Sequence, residues 1–223
     1  MTPRVALVLG AGGTVGHAYH AGVLAALDEV IEWDARRADL LVGTSAGSIV
    51  AASLRAGMAG ADFARRIERR PLSPDGQRVV ARGALQPPHV DGADAPRERR
   101  GGRSASPQLL ARALRAPWGV WPGAVGAAAL PPGRVATEHL GAPFRGLYGD
   151  SWPSPPLWVV AVDLGTGRRT VFGRDAPRAP VADAVRASCA IPTFFEPVEI
   201  DGRRYVDGGV ASTTNADLVA SEH

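Results

Sequence analysis

Short apolar runs alternate with helical periods through the first sixty residues. The run Val5–Leu9 ends at Gly10 and predicts a buried strand that enters a tight glycine turn. Apolar positions then recur with a helical period over 17–30. A second strand is predicted at 39–43 and a second helix at 45–58. Two strand–helix units in succession favour a mostly parallel sheet covered by helices.

Shorter apolar runs in the last third of the sequence predict hairpins. Four strands are expected there, at 157–162, 170–172, 198–200 and 204–206. The last two strands flank an Asp-Gly pair, which is the strongest short-range signal of a hairpin turn. A helix is predicted between the two strand pairs, at 181–189. Together with the first two units, these runs predict an α/β fold.

Proline, glycine, arginine and alanine dominate the middle of the chain, and regular periodicity is weak there. We expect a loop-rich insertion or lid over 71–156, with one amphipathic helix near 107–116. Trp118 and Trp121 follow that helix, and we expect them to cover the seam where the helix packs on the core. Contact of this helix with a lipid surface is the alternative.

The 223-residue length and the 45% hydrophobic content predict one domain over 1–223 with a well-buried core. All 25 basic residues are arginine and lie among 22 acidic residues, so we expect no nucleic-acid partner despite a net charge of +3. The lack of lysine excludes Schiff-base chemistry and a phosphate-loop lysine. The chain ends sixteen residues after Asp207, which predicts a short C-terminus.

Cysteine content and apolar run lengths indicate a cellular location. The single cysteine, Cys189, excludes an intrachain disulfide within this sequence. Residues 1–10 lack the charged, apolar and cleavage regions of a secretory signal. The apolar runs are all shorter than the roughly 20 residues needed to span a bilayer. We therefore expect a cytoplasmic, bacterial-type protein whose contact with membranes is peripheral.

Ser45 lies between Gly43 and Gly47, directly after a predicted strand and directly before a predicted helix. This is the context of a nucleophile elbow, in which side chains two positions either side of the nucleophile would collide with strand and helix. The helix N-terminus behind Ser45 also places a positive dipole near a developing oxyanion. The pattern predicts Ser45 as a nucleophile, and a tight turn without chemistry is the alternative.

A glycine loop from Gly10 to Gly16, with Gly12, Gly13 and Thr14 between them, presents backbone N–H groups at a helix entry. Such a loop is suited to bind an anion. One candidate is a dinucleotide pyrophosphate, because the glycine spacing matches a variant of the dinucleotide-binding turn. The other is the oxyanion of a tetrahedral intermediate. The second strand ends without a ribose-binding acid and the chain has no lysine for reductase catalysis, which favours the oxyanion.

Asp207 precedes Gly208 and Gly209 at the end of a predicted strand, where neighbouring backbone can approach its carboxylate closely. A loop aspartate is also a common turn former, so the residue alone is compatible with both roles. The nearby Asp201 is explained by the predicted hairpin turn. Asp207 is therefore the candidate acid or base in this part of the chain.

The histidines do not complete a hydrolase triad. An α/β-hydrolase has the chain order Ser, acid, His, and the only histidine after Asp207 is the terminal His223. A terminal residue is poorly suited to be held rigidly. His17 and His20 lie on the predicted first helix near the glycine loop, and we interpret them as packing residues. A Ser-His-Asp mechanism therefore lacks a well-placed base.

Four motifs, in this order, closely resemble the patatin-like phospholipases. They are the glycine loop at 11–16, the elbow at 43–47, the run 187–198 and the Asp-Gly-Gly motif at 207–209. They cover the two ends of the chain, whereas 71–156 matches no motif of that family. The family commonly has an arginine or lysine at the position of Val15, so no cation is expected to assist the oxyanion here.

The resemblance implies a three-layer α/β/α fold and a lipid acyl hydrolase with a Ser-Asp dyad, acting without a metal or organic cofactor. Ser45 would attack an acyl ester, and Asp207 would accept its proton. The N–H groups of Gly12 and Gly13, together with Thr14, would hold the oxyanion. The implied partner is a lipid or other acyl ester. A dinucleotide-binding oxidoreductase and a form that binds lipid without catalysis are the alternatives.

Overall fold

The computed structural model describes residues 5–83, 105–115, 118, 120–175 and 177–220. Its strands form one mixed sheet and are, in chain order, β1 (Ala6–Leu9), β2 (Leu40–Thr44), β3 (Leu157–Asp163), β4 (Arg169–Phe172), β5 (Val198–Ile200) and β6 (Arg203–Asp207). The helices of the same residues are α1 (Gly13–Glu29), α2 (Ala46–Arg55), α3 (Gly60–Ile67), α4 (Pro74–Gly83), α5 (Pro107–Arg115), α6 (Pro122–Ala129), α7 (Glu138–Tyr148), α8 (Val181–Ser188) and α9 (Asp217–Ala220).

Parallel and antiparallel pairing both occur in the sheet. β1 pairs parallel with β2, and β2 pairs parallel with β3, as the two strand–helix units predict. The two hairpins are also present, because β4 pairs antiparallel with β3 and β5 with β6. β6 also pairs antiparallel with β3. The predicted α/β class is confirmed.

The carboxyl ends of β2 and β6 meet beside the middle of β3. β2 runs parallel to β3 and ends with Thr44 opposite Val160. β6 runs antiparallel to β3 and ends with Asp207 opposite Ala161, the next residue of β3. A Cβ on Gly208 would lie 3.1 Å from Cγ2 of Thr44, so the two ends are in contact. The turns that follow β2 and β6 are thereby brought together from opposite directions.

Helices cover both faces of the sheet, because successive residues of a strand point to opposite faces. One face, which includes Val159 and Ala161, packs against buried residues of α1, α2, α7 and α8. The other face, which includes Val160 and Val162, packs against α5, α6 and α9. Each fully buried aliphatic or aromatic side chain contributes about 1.5–3 kcal/mol to folding. The arrangement has three layers, with the sheet in the middle.

The segment 71–156 contains more helix than its composition predicts. The structure has α4, α5, α6 and α7 in this segment, and only α5 coincides with a predicted helix. Pro74, Pro107 and Pro122 are the first residues of three of these helices. Proline is well tolerated there, because the N–H group that it lacks has no partner in a first turn. Prolines that interrupt the periodic pattern therefore mark helix starts, while a lid function stays a prediction.

The expectation that Trp118 covers the seam beneath α5 is wrong. Its side chain is 91% exposed, whereas Leu109 of α5 is fully buried in the core. Helix α5 therefore packs on the core through Leu109, and Trp118 points into solvent. Within the described residues, no helix is both long enough and apolar enough to cross a membrane.

Candidate active site

Ser45 lies in the sharp turn between β2 and α2, with φ 53° and ψ −122°. A positive φ is strained for a residue with a side chain, so surrounding contacts must hold it. A Cβ on Gly43 would lie 2.5 Å from Cα of Ser48, and one on Gly47 would lie 2.0 Å from the carbonyl oxygen of Leu9. Glycine is therefore required on both sides of Ser45, for the steric reason that the sequence pattern suggests.

Two buried hydroxyl groups hold the main chain on either side of the Ser45 Cα. The N–H of Ser45 donates to Ser188 Oγ at 2.9 Å, and this hydroxyl donates to the carbonyl oxygen of Val160 at 2.7 Å. On the other side, the N–H and the hydroxyl of Ser48 both donate to the carbonyl oxygen of Ser45, at 2.8 and 2.7 Å. Ser48 and Ser188 are fully buried, so these bonds are shielded from water.

Asp207, the last residue of β6, is only 5% exposed. The N–H of Gly209 donates to its Oδ1 at 2.7 Å, and the side chain of Ser45 lies close enough to its carboxyl group to affect the pKa of that group. Burial raises the pKa of Asp207 from 3.8 to about 6, and the bonds from Ser45 and Gly209 oppose this rise. Ser45 and Asp207 therefore lie close together, and the raised pKa makes this carboxylate a stronger base than an exposed one.

Asn215 ties the segment after Asp207 to the end of β2. Its Nδ2 donates to Thr44 Oγ1 at 3.0 Å and to the carbonyl oxygen of Ser212 at 2.7 Å. The side chain is fully buried, and Nη1 of Arg169 donates to its Oδ1 at 3.0 Å. The turn that follows β6 cannot separate from β2 without breaking these buried bonds.

The glycine loop connects β1 to α1. Gly13 is the first residue of α1, and the N–H of Gly16 donates to the carbonyl oxygen of Gly12 at 2.8 Å. A Cβ on Gly12 would lie 2.6 Å from Cα of Gly16, so a side chain there would push the loop from the helix. The N–H groups of Gly13 and Thr14 belong to the first turn, which has no helical acceptor for them. Both residues are exposed, so a ligand can reach these donors.

Several contacts fix the glycine loop beside the other two turns. The N–H of Ala11 donates to the carbonyl oxygen of Thr213 at 2.7 Å, in the segment after β6. A Cβ on Gly209 would lie 3.3 Å from Cβ of Ala11. Nε2 of His20 hydrogen bonds with the carbonyl oxygen of Gly10 at 2.8 Å. The glycine loop, the Ser45 turn and the Asp207 turn are therefore packed together at the point where β1, β2 and β6 end.

The histidines of α1 pack within the fold. The ring of His17 contacts the ring of Phe63 edge to face, with centroids 6.1 Å apart. Burial, and then the nearby charge of Arg66, lower the pKa of His17 to about 4, so this ring is neutral at physiological pH. Within the part of the chain that the structure describes, no cluster of His, Cys, Asp and Glu is able to hold a metal ion.

The sequence singled out Ser45, Asp207 and the glycine loop, and the fold brings these segments together. It did not single out Ser188 or Asn215. Ser188 lies within the run 187–198 that resembles the patatin-like proteins, and that run was the available signal. Asn215 lies in none of the four motifs, and its hydrogen bond to Thr44 joins residues 171 positions apart in the sequence.

Several known proteins are similar in sequence to this chain. The uncharacterized NTE family protein Rv1063c of Mycobacterium tuberculosis H37Rv is 30% identical over 217 residues, which are 94% of this chain and 43% of that protein. The uncharacterized NTE family protein Mb1092c of Mycobacterium bovis matches to the same extent. The uncharacterized protein YqhO of Bacillus subtilis is 39% identical over 77 residues, 30% of this chain and 26% of that protein.

The present chain spans less than half the length of these mycobacterial relatives. The sequence profile of the patatin-like phospholipases matches residues 7–220, which is nearly the whole chain and includes all four motifs. The match thus extends across the middle segment, where the motifs alone gave no family signal. The chain therefore belongs to the patatin-like phospholipase family.

Proposed function

We propose that this protein is a serine-dependent lipid acyl hydrolase of the phospholipase A, lysophospholipase or carboxylesterase type. Membership of the patatin-like phospholipase family supports action on lipid acyl esters in general. The finer assignment is carried by the placement of the Ser45 side chain beside the buried carboxyl group of Asp207, whose pKa it lowers against the effect of burial. A hydroxyl nucleophile in contact with a base of raised pKa, beside a loop of exposed N–H donors, is what acyl transfer requires.

Acylation begins when Oγ of Ser45 attacks the carbonyl carbon of the ester. Asp207 accepts the hydroxyl proton, and the electron pair of the carbonyl bond moves onto oxygen to give a tetrahedral oxyanion. When this intermediate collapses, the bond to the alcohol breaks and Asp207 gives the alcohol its proton. The products of this half-reaction are a free alcohol or lysolipid and an acyl ester on Ser45.

Deacylation repeats these steps with water as the nucleophile. Asp207 accepts a proton from the water whose oxygen attacks the acyl carbon, and then returns the proton to Oγ of Ser45 as the ester bond breaks. A free fatty acid leaves, and both side chains regain their starting state. A carboxylate is a weak base toward a serine hydroxyl, and the raised pKa of Asp207 favours the two steps in which it accepts a proton.

The first residues of α1 are suited to stabilise the oxyanion. The N–H groups of Gly12, Gly13 and Thr14 precede or begin the helix, where the helix dipole also favours negative charge. Removing one preorganised donor from such a hole costs about 10²–10³-fold in kcat in well-studied enzymes. This loop is held against the Asp207 turn by the bond from Ala11 to Thr213, which supports the assignment.

Exposed apolar side chains next to this loop support peripheral contact with a lipid surface. Val15 is 82% exposed and Tyr19 is 69% exposed, and they lie one turn apart on α1. Residues 13–27, which are all but the last two residues of α1, contain no Asp, Glu, Lys or Arg. Such a surface beside the entrance to the site favours approach to lipid over approach to a charged polymer.

Hydrolysis assays with matched variants test this proposal. The purified protein is incubated with phosphatidylcholine, lysophosphatidylcholine and a short-chain p-nitrophenyl ester, and released fatty acid or nitrophenol is measured. Ser45→Ala and Asp207→Asn are each expected to lower kcat by about 10³-fold or more, because each removes a group that makes or breaks bonds. Ser106→Ala and Asp163→Asn change a buried serine and a buried aspartate elsewhere, and are expected to retain activity.

Other outcomes would support the alternatives. Saturable NAD(P) binding that survives Ser45→Ala, with no ester cleavage, would indicate a dinucleotide-binding oxidoreductase. Binding to phosphatidylcholine vesicles without hydrolysis of any ester would indicate a non-catalytic lipid-binding protein. Equal hydrolysis by wild type and Asp207→Asn would remove Asp207 from the mechanism.

A further inference from the structure

The hydroxyl group of Ser188 lies between β2 and β3, at the point where the two strands stop pairing. It accepts the N–H of Ser45 at 2.9 Å and donates to the carbonyl oxygen of Val160 at 2.7 Å. Ser188 is the last residue of α8 and is fully buried. A single buried hydroxyl therefore bridges a main-chain donor and a main-chain acceptor.

Without this hydroxyl, the pattern of hydrogen bonds between β2 and β3 would continue and would bond Ser45 directly to β3. The N–H of Leu41 donates to the carbonyl oxygen of Pro156, and a parallel ladder repeats such a bond every second residue. Two such bonds further along, which is four residues on each strand, the N–H of Ser45 would donate to the carbonyl oxygen of Val160. The Ser188 hydroxyl takes that place and holds the two groups apart by one oxygen atom.

The residues that follow Ser188 also hold Asp207. The N–H of Asp207 donates to the carbonyl oxygen of Ala190 at 3.0 Å. Between them, the thiol of Cys189 lies 3.7 Å from Oγ of Ser48, whose hydroxyl donates to the carbonyl oxygen of Ser45. Three consecutive residues therefore contact the main chain of Asp207 and both sides of the Ser45 turn.

We propose that Ser188 is a positioning residue, whose hydroxyl spaces the Ser45 turn from β3 and so keeps Oγ of Ser45 within hydrogen-bonding reach of Asp207. This inference rests on the proposed function, because it assigns the spacing a role in ester cleavage. Without the hydroxyl, the N–H of Ser45 closes onto Val160 or loses its partner, and in either case the nucleophile moves. Displacement of a reacting group by about 1 Å can cost about 10²-fold in rate.

Ser188→Ala tests the inference directly. We expect kcat for a soluble ester to fall by about 10²-fold with KM within about twofold of wild type, because the substrate-binding surface is unchanged. The rate of modification of Ser45 by a fluorophosphonate is expected to fall in parallel. Ser106→Ala is the matched control. The buried hydroxyl of Ser106 likewise bridges two main-chain groups, because it accepts the N–H of Leu109 and donates to the carbonyl oxygen of Leu164. That control is expected to keep both rates.

The pH profile gives a readout that a purely structural serine would not change. The hydrogen bond from Ser45 lowers the pKa of Asp207, so its loss in Ser188→Ala is expected to shift the acid limb of kcat/KM to higher pH. Cys189 also faces Asp207, and burial raises the pKa of this thiol, so it stays neutral across the profile. The acid limb of Ser106→Ala is expected to coincide with that of wild type.

Ser188→Thr and Ser188→Val form a second pair, because both add a methyl group's volume and only threonine keeps the hydroxyl. Retention of most of kcat in the threonine variant, with loss in the valine variant, supports the inference. The inference would be overturned by an equal kcat in the threonine and valine variants, or by an equal kcat in Ser188→Ala and wild type. It would also be overturned if Ser188→Ala and Ser188→Val unfold while Ser188→Thr folds but is inactive. Unmodified wild-type Ser45 would instead overturn the proposed function itself, whatever the Ser188 variants do.

Discussion

Asp207→Asn is expected to stabilise the protein at alkaline pH while it abolishes ester cleavage. The carboxyl group is buried, and burial raises its pKa from 3.8 to about 6. Above pH 6 the carboxyl group of Asp207 is ionised in the folded protein. This lowers the free energy of unfolding, because water solvates the charge better in the unfolded chain. Asparagine has nearly the same shape, carries no charge and can still accept the N–H of Gly209.

The size of the effect follows from the shift in pKa. The rise from 3.8 to about 6 is about two pH units, and each unit corresponds to about 1.4 kcal/mol. Below pH 3.8 the carboxyl group is neutral in both the folded and the unfolded protein, so it does not lower the free energy of unfolding. Between pH 3.8 and about 6 the unfolded chain has released this proton while the folded protein still holds it, so stability falls over this range, and the full loss of about 3 kcal/mol is reached above pH 6.

Urea unfolding of wild type and Asp207→Asn at a series of pH values measures this effect. The two free energies of unfolding are expected to be nearly equal at about pH 4, and the variant is expected to be more stable by about 3 kcal/mol at pH 8. Titration of other groups cancels in the difference between the two proteins. A difference that does not change with pH, or a variant that is less stable at pH 8, would refute the reasoning.

Two further predictions concern the same site. The kcat/KM of wild type for a soluble ester is expected to rise as pH increases through about 6 and then level off, because Asp207 must be ionised to accept a proton; a flat profile between pH 5 and 8 would exclude it as the base. Gly47→Ala is expected to lower the free energy of unfolding by about 3 kcal/mol or more, since its Cβ would overlap the carbonyl oxygen of Leu9. Gly22→Ala on the open face of α1 is the control and is expected to stabilise by about 0.5–1 kcal/mol; equal effects of the two changes in a urea titration would contradict the steric argument.

Local patterns were sufficient to predict the elements that carry Ser45 and the glycine loop. Glycine is needed at positions 43 and 47 because backbone atoms would lie 2.5 and 2.0 Å from a Cβ there. The fold therefore requires a glycine two residues before and two residues after Ser45, and this spacing is visible in the sequence. The same holds for Gly12 against Gly16. The hairpin of β5 and β6 was predictable because an Asp-Gly pair fixes the turn between two short strands.

The supporting residues of the site could not be predicted in the same way. Ser188 contacts Ser45 across 143 positions of sequence, and its role depends on a gap in a ladder that exists only in the folded sheet. The helices of the middle segment were missed for a different reason. Its proline-rich composition favours loops, although proline is favourable at a helix start, where Pro74 and Pro122 lie. Exposure of Trp118 depends on how α5 packs, which an amphipathic pattern does not specify.

Covalent labelling of Ser45 tests the central claim most directly. The folded wild-type protein is treated with a fluorophosphonate, and intact-mass and peptide mass spectrometry identify the number and place of the adducts. One adduct is expected, on Ser45, and none on Ser45→Ala, with markedly slower labelling of Asp207→Asn because the hydroxyl then lacks its base. An unlabelled wild-type protein, or an adduct of equal yield in Ser45→Ala, would contradict the assignment of Ser45 as the nucleophile.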